Sequence, residues 1–226
     1  MKLLYKHLLL IALLASNTLY AELVKTYFKT GELKSETHYI DGTNTKIKKG
    51  IKNGIEKIYY IQGTLAYQVN YIHGKRDGEL VWYNKQGDKI AQINYNYGKL
   101  AGKEIYYFSN GQIKHIVTYI NDMKEGVQKE YFDNGQLASI VPYAHNKKEG
   151  IQKEYTYSGK LYSEVLYKNN YKEGMQKWYN KNGQVIKQEL FKMDIPVNVM
   201  KKIKNKKITK NILIDNMDFT PKKPRL

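Results

Sequence analysis

Apolar and polar residues alternate along this chain in short, recurring runs. Leu65, Val69 and Tyr71 are followed in the same spacing by Ile113, Val117 and Tyr119, by Leu137, Val141 and Tyr143, and by Leu161, Val165 and Tyr167. The positions between them are mostly polar, as with Lys114 and Thr118. Alternation over seven or eight residues predicts a half-buried β-strand. A second, shorter segment puts an aliphatic residue and a tyrosine on one parity: Val127 with Tyr131, Ile151 with Tyr155, Met175 with Tyr179.

The strands are separated by a strict punctuation. Gly63, Gly87, Gly111, Gly135, Gly159 and Gly183 stand 24 residues apart. Four positions before each lies a tyrosine (Tyr59, Tyr83, Tyr107, Tyr131, Tyr155, Tyr179), and eight positions after lies Tyr71, Tyr95, Tyr119, Tyr143, Tyr167 or Phe191. Five are answered by a second glycine, Gly78, Gly102, Gly126, Gly150 or Gly174. Such self-similarity means one supersecondary unit stacked on itself, and an array of this kind works by presenting a surface. Positions below are counted from the first glycine as zero.

The turns agree with hairpins. Asn110-Gly111, Asn134-Gly135 and Asn182-Gly183 are strong hairpin signals, because both residue types tolerate positive φ. Position +11 is Gly74, Gly98, Asp122, Asn146 or Asn170, again residues that accept a left-handed backbone. The fold class predicted is therefore all-β: an elongated antiparallel meander of repeated 24-residue hairpins in a single extended twisted sheet. If position +8 faces +16 and −4 faces +2, every even position shares one side. Tyr131 would then pack on Leu137, and Tyr143 on Ile151, in aromatic–aliphatic pairs contributing roughly 0.2–1 kcal/mol each.

Regularity fails in three places. Tyr27, Gly31, Leu33 and Tyr39 fit a first unit, but about eight residues are inserted near Thr43–Gly50. Pro142 removes a ladder donor and should sit at a bulge or weak point. After Phe191 the period is lost, and residues 193–226 are rich in Lys, among them Lys201, Lys202, Lys206, Lys207 and Lys210. Within that stretch Ile208–Ile214 could cover the last strand edge. The tail reads either as a membrane- or polyanion-binding segment or as a solvated end.

The chain opens with Lys2, Lys6 and an apolar run from Leu8 to Ala15, too short to span a bilayer. This predicts a signal peptide over 1–21 cleaved near Ala21, leaving a repeat array at 22–192 and a basic tail at 193–226. Export to the periplasm, cell surface or medium would follow. An N-terminal core helix or an uncleaved anchor is the alternative. With no Cys there is neither a disulfide nor thiolate chemistry.

The formal net charge is +17, which favours anionic partners by long-range attraction. Anionic lipid, surface polysaccharide or an acidic protein fits; nucleic acid fits poorly with export. Lysine without arginine clustering can equally be general solvent-facing composition. No catalytic constellation emerges. His38, His73, His115 and His145 are dispersed, so no metal or cofactor is expected. Glu125, Glu149 and Glu173 recur in every late unit beside Lys124, Lys148 and Lys172, which suggests turn electrostatics rather than acid–base work. The candidate partner-binding face is the tyrosine ladder: Tyr71, Tyr95, Tyr119, Tyr143 and Tyr167, joined by Tyr107, Tyr131 and Tyr155. The same rings are candidates for the core of a thin sheet.

Units of the form Tyr-x-x-Asn-Gly-x-Leu, with Phe132-Asp-Asn-Gly-Gln-Leu137 and Lys148-Glu-Gly-Ile-Gln-Lys-Glu-Tyr155 as the closest examples, resemble the bacterial variant of the MORN repeat. Proteins built from it are commonly labelled YwqK-like antitoxin components of toxin–antitoxin systems. The resemblance covers about residues 27 to 191. It implies a β-hairpin array, a protein- or lipid-contacting role and no catalytic residues. It also implies an alternative function, an antitoxin that neutralises a toxin protein by direct binding.

Overall fold

The computed structural model describes residues 21–40 and 50–198. The expected leader, the insertion up to Lys49 and the Ile208–Ile214 patch lie outside the described residues. Among the described residues every regular element of length is a β-strand, and the strands pair antiparallel. The described residues divide into two compact units, one up to Leu100 and one from Ala101. The first holds β1 (Glu22–Tyr27), β2 (Leu33–Ile40), β3 (Ile51–Tyr59), β4 (Leu65–Ile72), β5 (Lys75–Arg76), β6 (Gly78–Tyr83) and β7 (Lys89–Asn96). The second begins within β8 (Lys99–Tyr107) and continues through β9 (Ile113–Ile120), β10 (Met123–Lys124), β11 (Gly126–Tyr131) and β12 (Leu137–Ala144). It ends with β13 (Lys147–Lys148), β14 (Gly150–Tyr155), β15 (Leu161–Lys168), β16 (Tyr171–Tyr179), β17 (Val185–Lys192) and β18 (Ile195–Pro196). Within each unit, strands pair with their sequence neighbours as a hairpin meander.

The two kinds of turn differ from the sequence expectation in which residues carry positive φ. At the Asn-Gly end only the glycine does so, as at Gly135 with φ 82°. There the N–H of Gly135 donates to Phe132 O at 2.9 Å and the N–H of Phe132 donates to Gln136 O at 2.8 Å. At the other end the loop holds two residues, both left-handed: His145 (φ 49°) and Asn146 (φ 67°), or Asn169 and Asn170. That is the type I′ geometry whose twist suits a hairpin. Even Met193 and Asp194 adopt it, so the repeat's backbone persists past Phe191 and Ile195–Pro196 folds back onto β17.

A two-residue loop pairs odd positions with even ones. Tyr143 consequently faces Lys148, not Ile151. The pairs Tyr143–Lys148 and Ile140–Lys153 leave Glu149 and Gly150 as an irregularity, and Pro142 lies opposite it, as expected. A second shift falls between Glu130 and Tyr131: Tyr131 pairs with Leu137 as expected, but Glu130 pairs with Ser139, skipping Ala138. Since one skipped residue reverses a strand's sidedness, Tyr131 and Leu137 lie on the opposite face from Val141 and Tyr143. The expectation of a single ring-bearing face is therefore corrected: the tyrosines at +8 and those at −4 occupy opposite faces.

Within each unit the most buried aliphatic residues lie on the +8 face. Val69 and Val117 are 1% exposed and Leu80 2%. In the first unit Val69, Tyr71 and Leu80 pack with Tyr67, Trp82, Ile93 and Tyr95. Tyr67 and Trp82, opposite each other in register, bring their ring centroids to 4.6 Å.

Candidate functional site

The +8 face is built from a repeated clip. Except at Leu100, position +13 supplies a cation that lies over the aromatic ring 19 residues later. Lys52 sits 4.8 Å from the Tyr71 centroid, Arg76 5.4 Å from Tyr95, Lys124 5.0 Å from Tyr143, Lys148 4.8 Å from Tyr167 and Lys172 5.0 Å from Phe191. Each lysine of the second unit also donates to the side chain four residues on: Lys124 to Gln128, Lys148 to Gln152, Lys172 to Gln176, at 2.9–3.1 Å. In the first unit the acceptor is Glu56, 3% exposed, which also receives Thr37 and Tyr67. Ring quadrupole and acceptor together hold each ammonium while its methylenes cover the ring. Burial pushes the Tyr143 and Tyr167 hydroxyls above the ordinary tyrosine value, with nearby carboxylates adding to it.

This arrangement places the predicted ladder residues as follows. Tyr71 and Tyr167 are buried, and Tyr95, Tyr119 and Tyr143 are half-buried on the clipped face. Tyr107, Tyr131 and Tyr155 are half-buried on the other face. The eight rings are thus not brought together, and the +8 set is largely roofed by cations.

Sequence parity missed what the other face carries. In register across the second unit stand Val127 with Pro142, Ile151 with Leu166, and Met175 with Leu190. Val127 is 44% exposed, Ile151 48%, Met175 42% and Leu190 43%. A neighbouring row carries Lys129, Lys153 and Lys177 opposite Ile140, Glu164 and Gln188. Beyond it Tyr131, Tyr155 and Tyr179 pair with Leu137, Leu161 and Val185. Two apolar rows therefore flank a lysine row, with Glu164 as an acidic interruption that Lys177 meets at 3.5 Å. The signal for this was present in the length of the tight loop, which sets whether +16 joins +8 or opposes it.

The recurring carboxylate at +14 has a different partner from the one expected. It does not serve the adjacent lysine. Glu125, Glu149 and Glu173 accept the backbone N–H of His145, Asn169 and Met193, each 20 residues on, at 2.8, 2.7 and 3.3 Å. Asn53 and Asp77 do the same for His73 and Tyr97 in the first unit. The Asn-Gly turns are linked too: Asn110 Nδ2 donates to Asp133 O at 2.7 Å and Asn134 Nδ2 to Tyr157 O at 3.0 Å.

Among the described residues no group of three or more His, Cys, Asp or Glu side chains is placed to hold a metal ion. Nor is any described helix long and apolar enough to cross a membrane. His73 and His145 are turn residues, and His38 Nδ1 lies 2.8 Å from Ile55 O. His115 is half-buried 3.8 Å from Glu130, and burial lowers its pKa.

Comparison with curated proteins returns no match. Among solved structures, a similarity is found to a chain in the crystal structure of accessory secretory protein 1, 2 and 3 in Streptococcus pneumoniae, at 16% identity and a TM-score of 0.20. It covers 50% of the present chain, which spans 19% of the length of that one. The family comparison agrees with the hairpin architecture, its later segments each running from one tight turn to the next: residues 23–41, 100–121, 124–145, 148–169 and 172–193 match the MORN repeat variant.

Proposed function

We propose that this chain is an exported, non-catalytic repeat scaffold that rests its Val127–Ile151–Met175 face on an anionic membrane surface. The single observation that carries this reading is the exposed apolar row alongside Lys129, Lys153 and Lys177. Isolated surface aliphatics need no explanation, whereas a contiguous exposed strip marks a contact site. Successive hairpins present the same chemistry, which suits a partner without a unique epitope. A lipid surface has that character: aliphatics enter the interface, tyrosines sit at headgroup level, and lysines meet anionic headgroups. The matched repeats suggest a repeat protein involved in binding, and the leader-like residues 1–21 motivate the export part of the proposal.

The test is sedimentation with phosphatidylcholine vesicles, with and without phosphatidylglycerol. Binding should require the anionic lipid and weaken with salt. Each lysine near the surface contributes about 1 kcal/mol, so changing Lys129, Lys153 and Lys177 together to Gln should weaken binding by roughly a hundredfold. Equal binding by the triple variant, or none by the native chain, overturns the reading and returns a protein partner, toxin or otherwise, to first place. N-terminal sequencing of the exported chain checks the leader: a start at Glu22 supports it, and an intact Met1 removes it.

A further inference from the structure

The clipped face contains one incomplete clip. This face lies opposite the Val127–Ile151–Met175 face proposed to rest on the membrane. At the residue 19 before each +8 ring the sequence has Lys52, Arg76, Leu100, Lys124, Lys148 and Lys172. Leu100 is the exception, and the ring it leaves is Tyr119. No cation lies over Tyr119 among the described residues. The second wall of the clip is nevertheless present and stronger than in its neighbours. Where Gln128, Gln152 and Gln176 accept a lysine, this unit has Glu104.

A completed version of the same pair exists in the first unit. There Lys52 lies between the carboxylate of Glu56, at 2.5 Å, and the ring of Tyr71, at 4.8 Å. Glu104 and Tyr119 reproduce the carboxylate and the ring without the ammonium. On β8 Glu104 pairs with Val117, two residues from Tyr119 and on the same face, and it accepts a hydrogen bond from the Tyr106 hydroxyl at 2.9 Å. A second carboxylate, Glu130, stands one strand away beside His115, whose ring packs 6.0 Å from that of Tyr106. This is the chemistry of a cation receptor, an aromatic face with a carboxylate beside it.

We infer that Glu104 and Tyr119 form a receptor for one alkylammonium or guanidinium group supplied from outside the chain. The group takes the place that Lys52 occupies between Glu56 and Tyr71. Its source is either a free organic cation or a lysine or arginine side chain projecting from another protein.

Two probes separate those sources: guanidinium-bearing acetyl-arginine amide, and a short neutral peptide with one central arginine. Both are titrated into the full chain while the Tyr119 ring is followed by NMR. Saturable shifts with both probes assign a small-cation site, and shifts with the peptide alone assign a protein segment. In either case Glu104→Gln should weaken binding about fivefold or more, and Leu100→Lys, which restores the sequence of the other repeats, should abolish it. Lys148→Arg serves as a control in an intact clip and should leave the shifts unchanged. A preserved backbone spectrum in each variant shows that it folds. No saturable shift with either probe, or undiminished binding in Leu100→Lys, overturns the inference.

Discussion

The carboxylate of Glu149 accepts the backbone N–H of Asn169 at 2.7 Å, so one repeat caps the tight turn of the next. Beside it the N–H of Asn170 donates to Lys148 O at 3.0 Å, making the connection two-stranded. A left-handed turn leaves its first N–H pointing outward, and this side chain satisfies it. Glu149→Ala should therefore destabilise the second unit by about 1 kcal/mol, whereas Glu149→Gln, which keeps an acceptor oxygen, should lose only a fraction of that. Urea denaturation of the two variants checks the order. Equal losses would assign the effect to charge instead.

The Asn-Gly turns give a second prediction. Gly135 has φ 82°, and a Cβ built there would meet Gln112 Oε1 at 3.0 Å. Gly111 has nearly the same φ, 81°, and open space around it. Gly111→Ala should thus cost only the backbone penalty, about 1 kcal/mol. Gly135→Ala should cost at least as much, the excess depending on how far the Gln112 side chain moves. Thermal unfolding of both variants measures the difference, and a milder effect at Gly135 would contradict it.

The regular part of this architecture was legible because each turn needs particular residues. Glycine at zero and Gly, Asn or Asp at +11 are backbone requirements, so strand length, hairpin order and the Pro142 irregularity could be read directly. Sidedness was not legible to the same degree. It depends on whether a loop holds an even or odd number of residues, and His73, Tyr97 and Met193 do not announce a left-handed backbone. The skipped Ala138 is equally silent, because a small residue fits strand and bulge alike. One misplaced parity moved Val127, Ile151 and Met175 from an exposed row into an imagined core. The Glu149–Asn169 link escaped because its partners are 20 residues apart, a separation that only stacked repeats bring together.

Alkaline pH should loosen the fold through specific tyrosines. Burial, and then the Glu36 carboxylate, push the Tyr59 hydroxyl up to about 12, and burial with Glu56 does the same for Tyr67. Tyr179 is raised to about 12 mainly by its hydrogen bond to Glu164. A raised folded-state pKa means the folded chain holds these protons more tightly than the unfolded one. Their contribution is complete below the unfolded value near 10 and is lost as pH climbs through the folded value near 12. On the acid side Glu36, lowered chiefly by its hydrogen bond from Tyr59, contributes above its unfolded pKa and loses that contribution as pH falls through its folded one. Tyrosinate absorbance and β-sheet ellipticity followed together should change in the same alkaline window, and Tyr59→Phe should flatten part of the stability change. Ionisation completed near pH 10 with no loss of ellipticity would refute the assignment.

The two faces should answer differently to the same kind of truncation. Val117 is 1% exposed on the clipped face, so Val117→Ala should cost about 2 kcal/mol through lost burial and a residual cavity. Val127, Ile151 and Met175 have more than 40% of their surface in water, and little is left to lose by removing them. Changing all three to Ser should shift the unfolding midpoint less than Val117→Ala alone, while removing most vesicle binding. Combining denaturation with sedimentation on the same samples separates stability from function. If the triple variant unfolds as readily as Val117→Ala, the aliphatic row is part of the core and the contact surface must be sought on the clipped face.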